Sequence, residues 1–214
     1  PAADIRAALD DTGLPMLGLN TRRGDLSKGE NGLAALPGRE PEARAAIDEA
    51  LDYAAAVDAA CVHVMAGVAA GDAAQETFMN NLRYACDRAG AMGRTILIEP
   101  LNRFDAPGYF LGTTAQAADV IAQIGAPNLR LMFDCYHVGR TEGDVIARLR
   151  ALRPLIGHIQ FAAVPDRGAP DHGTLDYAGV FAEIAALGWD APLGAEYKPG
   201  GPTEPTLGWM AQLR

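Results

Sequence analysis

Five short apolar runs in this chain each end at or beside a polar side chain that can bind metal, and the runs recur at a nearly fixed interval. They are Cys61-Val62-His63-Val64, Ile96-Leu97-Ile98-Glu99, Leu131-Met132-Phe133-Asp134, Ile156-Gly157-His158-Ile159-Gln160 and Leu193-Gly194-Ala195-Glu196. His63 to Glu99 is 36 positions, Glu99 to Asp134 is 35, Asp134 to Gln160 is 26, and Gln160 to Glu196 is 36. A strand, a helix and two short connections occupy roughly 30 residues. Each interval is therefore one βα unit, with its polar residue near the carboxyl end of a parallel strand. In a (β/α)8 barrel those ends share one rim, and that rim holds the active site. Four oxygen donors, Glu99, Asp134, Gln160 and Glu196, then converge on one point.

The rest of the pattern agrees. Residues 4–11 read as a helix and 14–20 as a strand. A Gly-rich, charged connection over 21–39 is long enough to be a lid. Helical spacing over 41–57 puts Ala45, Ile47, Leu51, Ala54 and Ala55 on one face. Strands are expected at 61–65, 95–99, 129–134, 156–161 and 192–197. Helices are expected at 73–90, 114–124, 143–152, 178–187 and 206–213. The strands lack clean alternation, as in a parallel sheet buried on both faces. Six strands fall short of the eight that close a barrel, so two leading strands are expected before Pro1. The expectation is a single α/β domain over 1–214, an N-terminally incomplete TIM barrel. An open doubly wound sheet normally carries a Gly-rich phosphate turn, and neither G-x-G-x-x-G nor G-x-x-x-x-G-K-[ST] is present.

Composition narrows the partners. The 214 residues carry a net charge of −9, which argues against a large nucleic-acid interface. Cys61, Cys86 and Cys135 are odd in number and widely spaced, so free thiols in a reducing, cytoplasmic setting are expected. No run approaches the ~18 apolar residues of a membrane span. A small-molecule substrate is the expected partner, and homo-oligomerisation is left open, with Phe181, Trp189 and Trp209 assigned first to the core.

Burying a carboxylate costs several kcal/mol unless it is paired or binds a metal. Three converging acids would raise one another's pKa, and a divalent cation resolves that conflict. A set of carboxylates and one amide oxygen is hard, which favours Mg2+ or Mn2+ over Zn2+. His63 and His137 sit near the rim and can reach a substrate. His158 and Gln160 alternate toward the barrel interior, and His172 reads as a solvated loop residue. Of the rim cations Arg103, Arg140, Arg167 and Lys198, the last two follow the strands of Gln160 and Glu196. They are the favoured partners of a substrate carboxylate.

Several of these segments resemble the hydroxypyruvate isomerase family of xylose-isomerase-like barrels, which includes 2-oxo-tetronate isomerase. They are Ile98-Glu99-Pro100-Leu101-Asn102, Pro107-Gly108-Tyr109-Phe110, Phe133-Asp134-Cys135-Tyr136-His137, Gly157-His158-Ile159-Gln160 and Glu196-Tyr197-Lys198-Pro199. The resemblance runs from about Leu14 to the end. It implies an aldose–ketose type isomerase of small hydroxy-carbonyl acids. It implies proton shuttling by Glu99 and Glu196, and a metal set of Glu99, Asp134, Gln160 and Glu196. Gln160 stands where related ketose epimerases carry His, which argues against epimerisation. An inosose dehydratase on the same barrel, a zinc nuclease and a non-catalytic binding barrel are the rival readings.

Overall fold

The structure is a computed structural model that describes residues 1–213. Six strands form one parallel sheet: β1 (Gly18–Asn20), β2 (Cys61–His63), β3 (Thr95–Ile98), β4 (Leu129–Asp134), β5 (Ile156–Phe161) and β6 (Gly194–Ala195). Their spatial order is their sequence order. Each strand therefore lies beside its predecessor, which is the winding of a barrel, whereas a doubly wound sheet reverses at a switch point. The connections carry α2 (Glu40–Val57), α3 (Asp72–Gly90), α4 (Thr114–Ile124), the pair α5 (Cys135–Thr141) and α6 (Val145–Leu152), and α7 (Tyr177–Ala186). Helix α1 (Ala2–Thr12) precedes β1.

Local chemistry sets these elements. Thr113 caps α4 by accepting the Gln116 N–H, and Gly125 ends it in the left-handed conformation at φ 66°, as a glycine permits. Ile96, Ile98, Leu129, Leu131 and Phe133 are fully buried. They pack against Phe78, Leu82 and Ala85 of α3 and Ala117 and Val120 of α4 in one continuous core. A bulge between Leu131 and Met132 shifts the β4–β5 register and brings Asp134 level with Gln160. Such bulges re-aim side chains near active sites.

The structure corrects some expectations. The inward face of α2 is Ala43, Ala46, Ile47, Ala50, Leu51, Ala54 and Val57, and Ala45 and Ala55 face solvent. Ala45 lies two positions from Ile47 and Ala55 one from Ala54, which at about 100° per residue turns both away. Residues 135–141, which lie between the expected strand 129–134 and helix 143–152, form α5. The last segment, Glu204–Leu213, is 3-10 rather than α-helical, with Pro205 and Gly208 weakening an α-helix. The 21–39 connection is largely folded, with Leu33, Ala34 and Ala35 buried. Trp209 packs edge-on to Phe161 at 5.6 Å, Phe181 does so at 4.9 Å, and Trp189 is half-buried beneath Arg153.

Phe78 is fully buried between α3 and the sheet. Replacing it with Ala is expected to cost about 3–5 kcal/mol, read as a lowered urea midpoint at unchanged m-value.

Candidate active site

The strand ends deliver their side chains to one rim. His63 closes β2, Glu99 follows β3, Asp134 closes β4, Gln160 lies in β5 and Glu196 follows β6. Asp134 does two jobs. Its Oδ1 accepts the Tyr136 N–H at 2.8 Å and so starts α5, while its Oδ2 is buried without a partner. Glu99 Oε1, Gln160 Oε1 and His63 Nε2 are also buried and unpartnered. Buried polar atoms are almost always paired, so four such atoms on the neighbouring strand ends of β2 to β5 mark a place where something outside the chain binds. Three of them are hard oxygens, which fits Mg2+ or Mn2+.

His137 stands beside this group. Its Nε2 lies 3.7 Å from Asp134 Oδ2 and 3.9 Å from Glu99 Oε1. Ligand-capable atoms of Glu99, Asp134 and His137 all fall within 4.8 Å of one another. The hydrogen bonds on the far side of the ring argue against His137 as a ligand. The Asn102 N–H donates to Nδ1 at 3.0 Å, and Asn102 Nδ2 lies 2.8 Å from the same atom. Asn102 is held in this orientation because its Oδ1 accepts the N–H groups of Phe104 and Asp105, each at 3.0 Å. Nδ1 is thus an acceptor, so the neutral ring carries its proton on Nε2 and presents an N–H to the carboxylates.

His63 has the opposite tautomer. Its Nδ1 faces Asn20 Oδ1 at 3.2 Å and Glu99 Oε2 at 3.6 Å, both acceptors. Nδ1 therefore carries the proton, and Nε2 offers a bare lone pair. One histidine donates into the site and the other accepts. Burial holds both rings neutral. It pushes the His63 pKa down to about 4, and burial with the Arg167 charge pushes His137 down to about 3.

The carboxylates move the other way. Burial, then repulsion from Asp134 and Glu196, raises Glu99 well above the usual range. Burial raises Asp134 to about 7, opposed by the Tyr136 N–H and reinforced by Glu196. Glu196 itself is about half exposed and bound by Arg167 Nη2 at 2.8 Å. Arg167 stacks on Tyr136 at 5.3 Å, and its carbonyl accepts the Lys198 N–H at 2.7 Å.

The site opens into a cavity of about 340 Å³ whose wall includes His63, Glu99, His137, Arg167, Glu196 and Lys198. Gln160 instead borders an adjoining space beneath, with His158, Leu97 and Met132. Arg103 and Arg140 are off this wall, stacked on the Phe104 ring at 5.0 and 4.4 Å. His172 is not simply solvated: its nitrogens lie 2.8 Å from Asp171 and 2.8 Å from Asp166. Sequence reasoning missed the roles of Asn20, Arg23 and Asn102 at the site. The Asn that follows Glu99-Pro100-Leu101 was the one usable signal.

A family profile described as a xylose isomerase-like TIM barrel matches residues 1–213. A 2-oxo-tetronate isomerase of Cupriavidus necator is 44% identical over 213 residues, covering 98% of this chain and 82% of that protein. A protein of Danio rerio provisionally named hydroxypyruvate isomerase is 39% identical over 220 residues, covering 97% and 79%. Among solved structures, one from Brucella melitensis described as an AP endonuclease of family 2 superposes with a TM-score of 0.95 at 38% identity. It is covered over 84% of its length by all of this chain. No described helix is long and apolar enough to cross a membrane. The chain belongs to the xylose isomerase-like TIM barrel family, within which its curated relatives are named as isomerases.

Proposed function

We propose that this isomerase interconverts the ketone and aldehyde forms of a small hydroxy-carbonyl acid, either hydroxypyruvate with tartronate semialdehyde or a 2-oxo-tetronate. The observation that carries the reading is the set of four unpartnered buried atoms on Glu99, Asp134, Gln160 and His63. Glu99, Asp134, Gln160 and Glu196 would hold a divalent cation, Mg2+ or Mn2+. Bound there, it would supply Lewis-acid polarisation of the substrate oxygens.

The chain's own groups divide the remaining work. One of Glu99 and Glu196 removes the proton from the carbon next to the carbonyl, giving an enediolate. The other assists the return of that proton to the neighbouring carbon. His137 Nε2–H donates to the oxygen that gains charge, as a neutral electrophile. His63 Nε2 accepts a hydrogen bond from the neighbouring hydroxyl, so the two neutral rings hold the substrate's carbonyl and hydroxyl oxygens in opposite senses. Arg167 holds Glu196 in place, and Lys198 adds positive charge to the wall. Both are proposed substrate contacts, with His63 and His137. The name of the Brucella structure raises nuclease chemistry. Of four histidines only His63 and His137 reach the rim, and His137 Nε2 is protonated, a poor basis for a multi-zinc site.

Turnover of hydroxypyruvate and of 2-oxo-tetronates with Mg2+ or Mn2+, measured side by side, tests the reading. Glu99→Gln and Glu196→Gln are each expected to lower kcat by at least about 100-fold; activity surviving both substitutions would sink it. Asn102→Asp keeps the acceptor for the 104 and 105 amides but replaces the Nδ2 donor with a carboxylate oxygen. The backbone N–H of residue 102 still donates to His137 Nδ1, so the ring keeps its Nε2 proton, but the added negative charge should raise the His137 pKa, visible in 15N NMR, and lower kcat more than it alters KM.

Raised carboxylates also fix a pH dependence. The folded state holds protons on Glu99 and Asp134 more tightly than the unfolded chain, so metal-free stability falls as pH rises from about 4 through about 7. A bound cation removes that loss. Thermal melts should show a stabilisation by Mg2+ or Mn2+ that grows between pH 5 and pH 8 (roughly the upper part of that window), and Glu99→Gln should shrink it.

A further inference from the structure

The 21–39 connection is stitched onto the chain just past β2. Thr21 N–H donates to the His63 carbonyl at 2.9 Å, and Met65 N–H donates to Thr21 Oγ1 at 3.1 Å. Gly32 bridges Ala66 antiparallel, and Ala35 N–H donates to the Ala66 carbonyl at 2.7 Å. Gly32 sits at φ +116°, where an added Cβ would lie 2.5 Å from the Met65 carbonyl oxygen. Only glycine permits that approach. Farther out, Glu30 accepts the Asp25 N–H at 2.7 Å and pairs with Arg39.

This frame fixes Arg23. The Gly32 N–H donates to its carbonyl at 2.8 Å, and its Nε donates to Asn31 Oδ1 at 2.8 Å. Both terminal amino groups remain for a ligand, because among the described residues the side chain makes no other hydrogen bond and no ion pair. Arg23 and Asn31 border the same cavity as His63 and Glu99. Arg167, the other guanidinium on that wall, is already bound to Glu196.

We propose that Arg23 is the specificity-determining residue that receives the carboxylate of the substrate, selecting hydroxy-carbonyl acids over neutral sugars of the same size. The proposal rests on the isomerase reading above and adds the group that reads the acid. Asn31 takes up the Nε donor and leaves the guanidinium's terminal edge to form the paired hydrogen bonds that a carboxylate accepts. Arg23 is itself exposed, so its loss leaves the core packing unchanged.

The test measures calorimetric binding of D-glycerate and of its amide, D-glyceramide, in the presence of Mg2+. Neither can isomerise, and they differ only at the carboxylate, whose charge and second acceptor oxygen the amide lacks. Arg23→Gln is expected to weaken glycerate about ten- to hundred-fold and to change glyceramide by less than about twofold. Arg23→Lys, which keeps the charge without the fork, should recover part of the loss, and all three proteins should melt together. Equal glycerate affinity in wild type and Arg23→Gln overturns the proposal, as do equal losses for both probes or no glycerate binding by wild type. Arg23-dependent glycerate binding without turnover of either keto acid would overturn the isomerase substrate and leave the carboxylate assignment standing.

Discussion

Everything at the rim follows from two buried carboxylates, Glu99 and Asp134, held close together at the ends of adjacent strands. Their exposures are 6% and 1%, so neither can turn outward to water. The sheet enforces this. Leu97, Ile98, Leu131 and Phe133 anchor the two strands in the core, and the register shift between β4 and β5 sets the height of Asp134 against Gln160. Left to themselves these acids would take up protons, since burial and mutual repulsion both oppose ionisation. Core packing sustains that conflict, and a cation relieves it.

The neutral histidines are the second consequence. A cationic imidazole beside Glu99 would quench the negative charge that attracts a metal. Burial and hydrogen-bond geometry prevent it. Asn102 directs two donors at His137 Nδ1, and Asn20 places an acceptor at His63 Nδ1, so the rings present unlike faces to one cavity. Asn102 belongs to a wider network: its Nδ2 also reaches Asp105 Oδ2, which accepts the Tyr136 hydroxyl at 2.6 Å. The aromatic ring of Tyr136 supports Arg167, and Arg167 holds Glu196. One chain of contacts thus links the acceptor nitrogen of His137 to the glutamate across the cavity.

Much of the fold was legible because a parallel barrel repeats itself. The bounds of β4, β5 and α4 match their expected spans residue for residue. In each case a complete apolar run or a Thr cap and a Gly stop mark the ends. Ala45 and Ala55 misled because alanine is compatible with either face of a helix. Helix α5 escaped notice because its start depends on the Asp134 side chain bonding two residues ahead, which a strand-end acid does not advertise. The candidate site was legible in its acids and in His63 and His137, all of which reach the rim. Arg103 and Arg140 stack on Phe104, and no spacing rule separates them from Arg23.

Residue order alone determined the winding: six apolar runs at the βα interval, each ending at or beside a polar residue, admit a singly wound parallel sheet and put the acids on one edge. Periodicity survives in one dimension because each unit packs on its neighbour in the same way. Tertiary structure decided what each group at that edge presents. The protonated nitrogen of each histidine, the free oxygen of Asp134 and the open guanidinium edge of Arg23 depend on partners 35 residues away (Asn102 and His137), on 43 residues (Asn20 and His63), or on a loop folded back onto the strand beside it. Such partners are joined by folding and by nothing in the local sequence.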